Sequence, residues 1–444
     1  MFTRRQFLVG SLAFGGLTAS GYGKASSFPQ SIFSDLYGPL IPDPQKRLDL
    51  PKGFTYQVIS SLGDMMSDGL QVPDRADGMG CFALADGQLA LVRNHELQPE
   101  HIKKQPATIQ KHKTELAYDT FESGVTLPGG TTTLVFDPKS QKVTHSFKSI
   151  SGTVRNCAGG ITPWNSWLTC EESVGTPGSD YKQYHGYVFE VPADATSMVE
   201  AVPLKAMGRF NHEAACVDPK TGIVYLTEDR GDSLFYRFIP NEYGKLQQGG
   251  TLQALRIKDT PKFDSRNWAA NTMSVGEWLE ADWVTLDTPD GPEDDLRKRG
   301  YELGATLFAR GEGIHWANNE LYFCCTNGGK KQLGQIMRFA PGQETSEDRI
   351  QLFLESEDKN LFNFGDNLTV CPNGHLLVCE DQYTDVVDNH LRGVTPQGDA
   401  YAFAKLHRQT ELAGACFSPD GKILFVNLYS PTETLAIYGP WEQS

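Results

Sequence analysis

One cysteine and a recurring set of acids carry the chemistry in this sequence. Asp77, Cys157, Glu213, Glu312, Asp366 and Glu411 each begin a short apolar run. Glu96, Glu171, Glu172, Glu228, Asp229, Glu380 and Asp381 end the companion runs. Two neighbouring carboxylates cannot both stay ionised without a large pKa shift. A gathering of this size needs cations to neutralise it or many protonated members, and cations are the cheaper solution. Oxygen ligands favour calcium, magnesium or ferric iron. Cys157, in Asn156-Cys157-Ala158-Gly159-Gly160, adds a thiolate that calcium and magnesium would not select, so a mixed site with a transition metal is indicated. A plainer reading makes Cys157 a small buried residue in a Gly-rich turn. The paired glycines, which let backbone approach a ligand closely, favour the ligand reading. Any one acid alone reads as a solvated strand end; the recurrence carries the metal reading.

Arg310, in Ala309-Arg310-Gly311-Glu312, puts a guanidinium beside this acidic set. Its planar fork suits phosphate oxygens, and a salt bridge to Glu312 or a neighbouring acid is the equal alternative. Arg155, just before Asn156-Cys157, is a second candidate for the same anion. Arg93, Arg209 and Arg230 flank the acidic motifs and are expected to pair with them. His95, His212 and His315 lie beside acid positions and read as structural or supporting residues rather than ligands. The sequence contains no convincing Ser or Thr nucleophile motif and no phosphate-cradling P-loop.

The elements that must position these residues are hairpins. Six times an apolar run meets a turn and a second apolar run follows. The turns are Asp86-Gly87, Trp164-Asn165, Lys220-Thr221-Gly222, Asn318-Asn319, Asn373-Gly374 and Asp420-Gly421. Asn-Gly and Asp-Gly between apolar runs are strong hairpin signals, because the turn needs positive φ. In an antiparallel hairpin the start of the first strand and the end of the second lie side by side. Hairpins standing around one axis would therefore face all the named acids to one mouth. With segments such as Tyr187 to Val191 and Gln335 to Phe339 as outer strands, the pattern predicts an all-β fold, a six-bladed β-propeller with insertions. The longest insertion runs from about residue 240 to 303. A β-sandwich or two β domains is the competing fold.

The chain has 444 residues, 39% of them hydrophobic, enough for a substantial core. Its net charge of -15 argues against nucleic acid as a partner, since counterion release needs the opposite sign, and points to a monomer. Thr3-Arg4-Arg5-Gln6-Phe7-Leu8 followed by an apolar run to Ala19 is a twin-arginine pattern, and the run is too short for a membrane span. Residues 1–27 are read as an export signal and 28–444 as the exported domain. The twin-arginine export machinery is then a partner, and the location is periplasmic or extracellular. That route carries folded proteins, so the nine cysteines are expected to form few disulfides.

Taken in order, several stretches resemble the PhoX family of exported alkaline phosphatases. They are Arg93-Asn94-His95-Glu96, Gly129-Gly130-Thr131-Thr132, Asn156 to Gly160 and Leu168 to Glu172. They continue with Gly208 to Glu213, Tyr225 to Asp229, Ala309 to Gly313, Asp366-Asn367-Leu368, Cys379-Glu380-Asp381 and Gly414 to Gly421. The resemblance implies a propeller holding a mixed cluster of ferric iron (Fe3+) and calcium (Ca2+) that hydrolyses phosphate monoesters. It implies that Cys157, Glu213, Asp229 and Glu312 ligate iron. It draws the calcium ligands from Glu96, Glu171, Glu172, Glu380 and Asp381, and has Arg310 bind phosphate. This chain is shorter than many members. Its fourth and sixth hairpins end in Cys324-Cys325-Thr326-Asn327 and Asn427, without acids. The cluster is therefore expected to be lopsided, and diesters join monoesters as expected substrates. A calcium-dependent lactonase or esterase propeller, and a non-catalytic binding propeller stabilised by calcium, are the competing functions. Neither would need Cys157 or Arg310.

Overall fold

The computed structural model describes residues 36–104, 115–178, 180–342, 347–382, 384 and 386–441. The expected export signal at 1–27 lies outside the described residues. All nine cysteines are free thiols. No helix among the described residues is long and apolar enough to cross a membrane.

The six turn signals fold as hairpins. Their strand pairs are Ala76–Ala83 with Leu89–His95, Asn156–Ile161 with Ser166–Glu171, and His212–Val217 with Val224–Glu228. The others are Gly311–Ala317 with Glu320–Cys325, Gly365–Val370 with Leu376–Glu380, and Leu412–Phe417 with Ile423–Leu428. Asn165 and Asn319 hold their turns at φ of 67° and 65°, a region that Asn tolerates better than most residues. The second strands are buried along their length, because neighbouring sheets cover both faces. Phe82, Ala90 and Val92 of the first hairpin, for example, pack with Trp167 and with Tyr187 and Phe189 beside the second. The first strands of successive hairpins touch one another in cyclic order, the sixth meeting the first. At Gly78 this approach leaves no room for a side chain: an added Cβ would lie 2.6 Å from the Cα of Ala158.

The expected six-bladed propeller is corrected by the strand pairing. Among the described residues the hydrogen-bonded sheets number five and are of unequal width. The first and sixth hairpins sit in four-stranded sheets and the second in a three-stranded one. The fifth sits in a six-stranded sheet extended by Leu48–Pro51 and Leu40–Ile41. The third and fourth hairpins share one nine-stranded sheet. The cause is Trp278–Thr285, from the segment read as an insertion. It pairs with Gly250–Ile257 on one side and Asp348–Glu355 on the other. Two outer edges that would each have exposed unpaired backbone are thereby joined through one strand. The architecture is an all-β, propeller-like ring of sheets. Thr55–Ser61 completes the last sheet by pairing with Glu433–Tyr438.

Candidate metal centre

Two backbone devices, repeated around the ring, bring the acids together. The first is a bulge in every inner strand. Register slips between Ala76 and Met79, Asn156 and Gly159, His212 and Ala215, Gly311 and Ile314, Gly365 and Leu368, and Ala413 and Cys416. A bulge re-aims one side chain. The first bulged residues are Asp77, Cys157, Glu213, Glu312, Asp366 and Gly414. The exception, Gly414, has φ of 61°, and a Cβ there would meet the Asp77 carbonyl oxygen at 2.3 Å. The second device closes each hairpin at the mouth. The amides of Glu96, Glu172, Asp229, Thr326, Asp381 and Tyr429 donate to the carbonyls of Arg75, Arg155, Asn211, Arg310, Phe364 and Glu411, at 2.9, 2.9, 3.3, 3.0, 2.9 and 3.2 Å. Each bond sets the end of the second strand beside the bulged residue of the first.

The result is a continuous patch of potential ligands. Glu96, Cys157 and Glu172 offer ligand atoms within 4.8 Å of one another, as do Glu213, Glu312 and Asp366, and Asp366, Asp381 and Glu411. Asp366 joins the last two groups. The Cys157 thiol donates to Asp77 Oδ2 at 3.5 Å, which brings Asp77 into the patch. Asp77, Asp366 and Glu411 stand at the hairpin starts but fall outside the ligand set implied by the resemblance. For Asp77 and Asp366 the shared position in the repeat was the signal available; Glu411 stands instead at the closing position of its hairpin, where its carbonyl takes the Tyr429 amide.

At the strand ends the paired acids divide. Glu172, Asp229 and Asp381 face the mouth, while Glu171, Glu228 and Glu380 turn into the scaffold. Glu171 takes the Val154 amide at 3.0 Å and His185 Nδ1 at 2.7 Å on one oxygen, and the Gly186 and Tyr187 amides on the other. Glu380 takes the amides of Asn363 and His390, both at 3.0 Å, and Arg392 Nε at 2.8 Å. Their lone pairs are committed to protein donors, so the structure does not bring Glu171 and Glu380 to the patch. The flanking arginines also depart from expectation. Arg93 bonds the hydroxyls of Ser60, Thr132 and Thr434, and Arg209 the carbonyls of Val174, Gly175 and Pro292. Arg230 pairs with Asp294 rather than with Asp229. Buried hydroxyls and carbonyls saturate a guanidinium as well as a carboxylate does when the geometry closes. His95 and His212 bond backbone carbonyls of Asp74 and Gly208, and burial pushes His315 down to about 4.

Both candidate anion-binding arginines reach the patch, and both are paired there. Arg310 grips Asp229 with Nε and Nη2, at 2.7 and 2.9 Å, and reaches Glu312 at 2.9 Å. Arg155 spans Glu96 at 2.7 Å and Glu172 at 2.9 Å. These two cations leave most of the carboxylate charge uncompensated. Burial first, and then neighbouring carboxylates, hold Asp77, Glu172, Glu213, Glu312 and Glu411 well above the usual carboxylate range. The same causes push Asp366 up to about 8, and raise the Cys157 thiol. Glu213 is the extreme case: it is fully buried, and neither of its oxygens has a hydrogen-bond partner. One oxygen of Asp77 is orphaned likewise. An orphaned buried polar atom costs about 1–3 kcal/mol, more when charged. Cations held among these oxygens and the thiol would remove that cost, so the residues fit a mixed metal cluster.

The mouth is not symmetric. Beside the third and fourth hairpins it is capped by residues of the 240–303 segment. Arg266 Nη1 donates to the Gly231 carbonyl at 2.8 Å, Trp268 Nε1 to the Asn327 carbonyl at 2.7 Å, and Arg297 Nε to Asp232 at 3.0 Å. On the other side lies a cavity of about 300 Å³, lined in part by Arg75, Glu96, Arg155, Asp381, Glu411 and Tyr429.

Comparison with known proteins bears on the fold and the family. The structure of Pseudomonas fluorescens PhoX, in complex with vanadate, a transition state analogue, superposes with a TM-score of 0.65 at 18% identity, covering 89% of this chain and 96% of that one. A gluconolactonase of Xanthomonas campestris superposes less well, with a TM-score of 0.44 at 12% identity, over 91% of this chain and 98% of that one. No curated protein matches the sequence. The family described as alkaline phosphatase PhoX matches residues 35–432. The span takes in all six hairpins and every residue of the acidic patch, and the chain belongs to the alkaline phosphatase PhoX family.

Proposed function

We propose that this chain is a metal-dependent phosphatase that hydrolyses phosphate monoesters outside the cytoplasm with a mixed iron and calcium cluster. The observation that carries the reading is Glu213, fully buried with both oxygens orphaned, between Glu312 and Asp366 and within the field of Cys157. Cys157, Glu213, Asp229 and Glu312 would hold iron, and Glu96, Glu172, Asp381, Asp366 and Glu411 would hold calcium. When bound, the metals supply positive charge opposite the phosphoryl oxygens and lower the pKa of water.

The chain's own residues do the rest. Asp229 and Glu312 now hold the Nε and Nη2 donors of Arg310; once metals take those carboxylates, the fork would turn to the phosphoryl oxygens. Arg155 is a second point of positive charge on the open side. The cap beside the third and fourth hairpins excludes bulk water, and the cavity receives the alcohol portion of the ester. Water adds to phosphorus, the P–O ester bond breaks with its electron pair going to the alcohol oxygen, and a proton returns to that oxygen. Residues 1–27 serve as the twin-arginine signal, and 28–444 as a monomeric catalytic unit in the periplasm or outside the cell.

The test is elemental analysis of the purified exported protein, with p-nitrophenyl phosphate hydrolysis measured with and without chelator. Iron plus calcium and chelator-sensitive hydrolysis is the expected result. Calcium without iron, and no hydrolysis, overturns the reading.

A further inference from the structure

Three arginines hold one position in the repeat. Arg75, Arg155 and Arg310 each stand two residues before the bulged residue of their strand, at φ of 56°, 46° and 50°. Few residues other than Gly adopt this region. The carbonyl of each receives the amide that closes its hairpin. Arg155 and Arg310 are occupied by carboxylates of the patch. Arg75 is not. Its Nη1 donates to Tyr429 Oη at 2.6 Å, and its guanidinium lies 5.2 Å from the centroid of the Tyr429 ring. The other guanidinium N–H groups have no hydrogen-bond partner among the described residues. Tyr429 in turn bonds Glu96, so the pair is fixed to the edge of the metal centre.

Arg75 lines the open cavity of about 300 Å³, together with Glu96, Arg155 and Asp381. In the cyclic order of inner strands it lies three hairpins from Arg310, across the mouth. Glu96, bonded by both Arg155 and Tyr429, sets Arg75 beside the metal centre, so the alcohol portion of an ester bound there has this cavity to enter. A half-buried guanidinium with unused donors, stacked on an aromatic ring, is a ready receptor for a second anion.

We propose that Arg75 binds a second phosphate carried by the alcohol portion of the substrate, so that the enzyme prefers bisphosphorylated esters to singly phosphorylated ones. This rests on the phosphatase reading above. The reaction at the first phosphate is unchanged; Arg75 is a specificity residue that strengthens binding of the leaving group.

The experiment compares steady-state kinetics of the metal-loaded wild type, Arg75→Gln and Arg75→Lys on fructose 1,6-bisphosphate, fructose 6-phosphate and p-nitrophenyl phosphate. Wild type should show the lowest KM for the bisphosphate. Arg75→Gln should raise that KM about tenfold more than the KM for p-nitrophenyl phosphate, the loss of one charge-assisted contact, and Arg75→Lys should recover part of it. A readout without variants is inhibition of p-nitrophenyl phosphate turnover, where the bisphosphate should act at lower concentration than the monophosphate. Hydrolysis with no bisphosphate preference, or an equal loss on all three esters, overturns this inference and leaves the phosphatase reading standing. Wild type that hydrolyses none of the three overturns both.

Discussion

The two sides of the mouth use the same hairpin to opposite ends. Beside the third and fourth hairpins, Glu213 and Glu312 lie under a cap held by Arg266, Trp268 and Arg297, and Arg310 is clamped by two carboxylates. Beside the first, fifth and sixth, Glu96, Asp381 and Glu411 border an open cavity, and Arg75 keeps donors to spare. Backbone bulges and closing bonds are common to both sides. What differs is what the intervening chain builds above them. The lesson is a division of labour: the repeat fixes where charge gathers, and the insertions decide where water and substrate reach it.

The largest effect should come from the buried side. Cys157→Ser or Glu213→Gln should abolish iron binding and lower p-nitrophenyl phosphate turnover by a factor of about a thousand, on the order of the loss of a single essential transition-state contact. Glu213→Leu should also stabilise the metal-free protein by roughly 1–3 kcal/mol, because it removes two buried oxygens that have no hydrogen-bond partner. Metal content and urea unfolding check both signs. A metal-free Glu213→Leu variant less stable than wild type would break the claim that the capped side buries unpartnered polar groups.

Arg310→Ala follows in size. It should lower kcat/KM by about ten- to a hundredfold, the worth of a charged hydrogen-bonding fork, while metal content stays intact. Loss of metal in this variant would instead make Arg310 a support for Asp229 and Glu312.

A smaller effect appears with pH. Asp366, pushed up to about 8 by burial and then by Asp381, holds a proton that the unfolded chain has released above about pH 4. The metal-free protein should therefore lose stability as pH rises through that window. Calcium and iron should cancel the slope, as thermal unfolding at about pH 5 and about pH 8 with and without metals would show. His185 behaves in the same direction at higher pH. Burial would lower it, but Glu171 and Asp119 push it up to about 9, so the stability it contributes is lost as pH rises through that value.

Glu171→Gln should give the smallest change in activity. It breaks the His185 pairing and costs stability, yet leaves metal content near wild type, because Glu171 faces the scaffold. Metal analysis of this variant beside Glu172→Gln separates the two neighbours.

Much of this was legible in the sequence. The six turns located the hairpins, and the hairpin starts named Asp77, Cys157, Glu213, Glu312, Asp366 and Glu411. The bulges were not legible, and they settle which side chain is re-aimed. Of each adjacent acid pair, alternation alone sends one inward, but the sequence does not show which; a one-residue offset reverses the answer. Hence Glu171 and Glu380 were grouped with ligands although backbone amides hold them. The sheet count failed for a different reason. Trp278–Thr285 lies in a segment with no hairpin turn to mark it, and its pairing with two outer edges is a long-range event. No local pattern announces such a partner.

The pairing of Thr55–Ser61 with Glu433–Tyr438 has a consequence for how the protein is made. Asp77, on the inner strand of the first hairpin, receives its neighbours from the sixth: Asn427 Nδ2 donates to the Asp77 carbonyl at 2.6 Å. During synthesis those partners emerge from the ribosome hundreds of residues apart. The ligand patch cannot be whole until nearly the entire chain has been translated, so assembly of the centre is a post-translational event. A chain stopped short of residue 433 would lack the strand that closes the ring and, with it, the enclosure that gathers the acids.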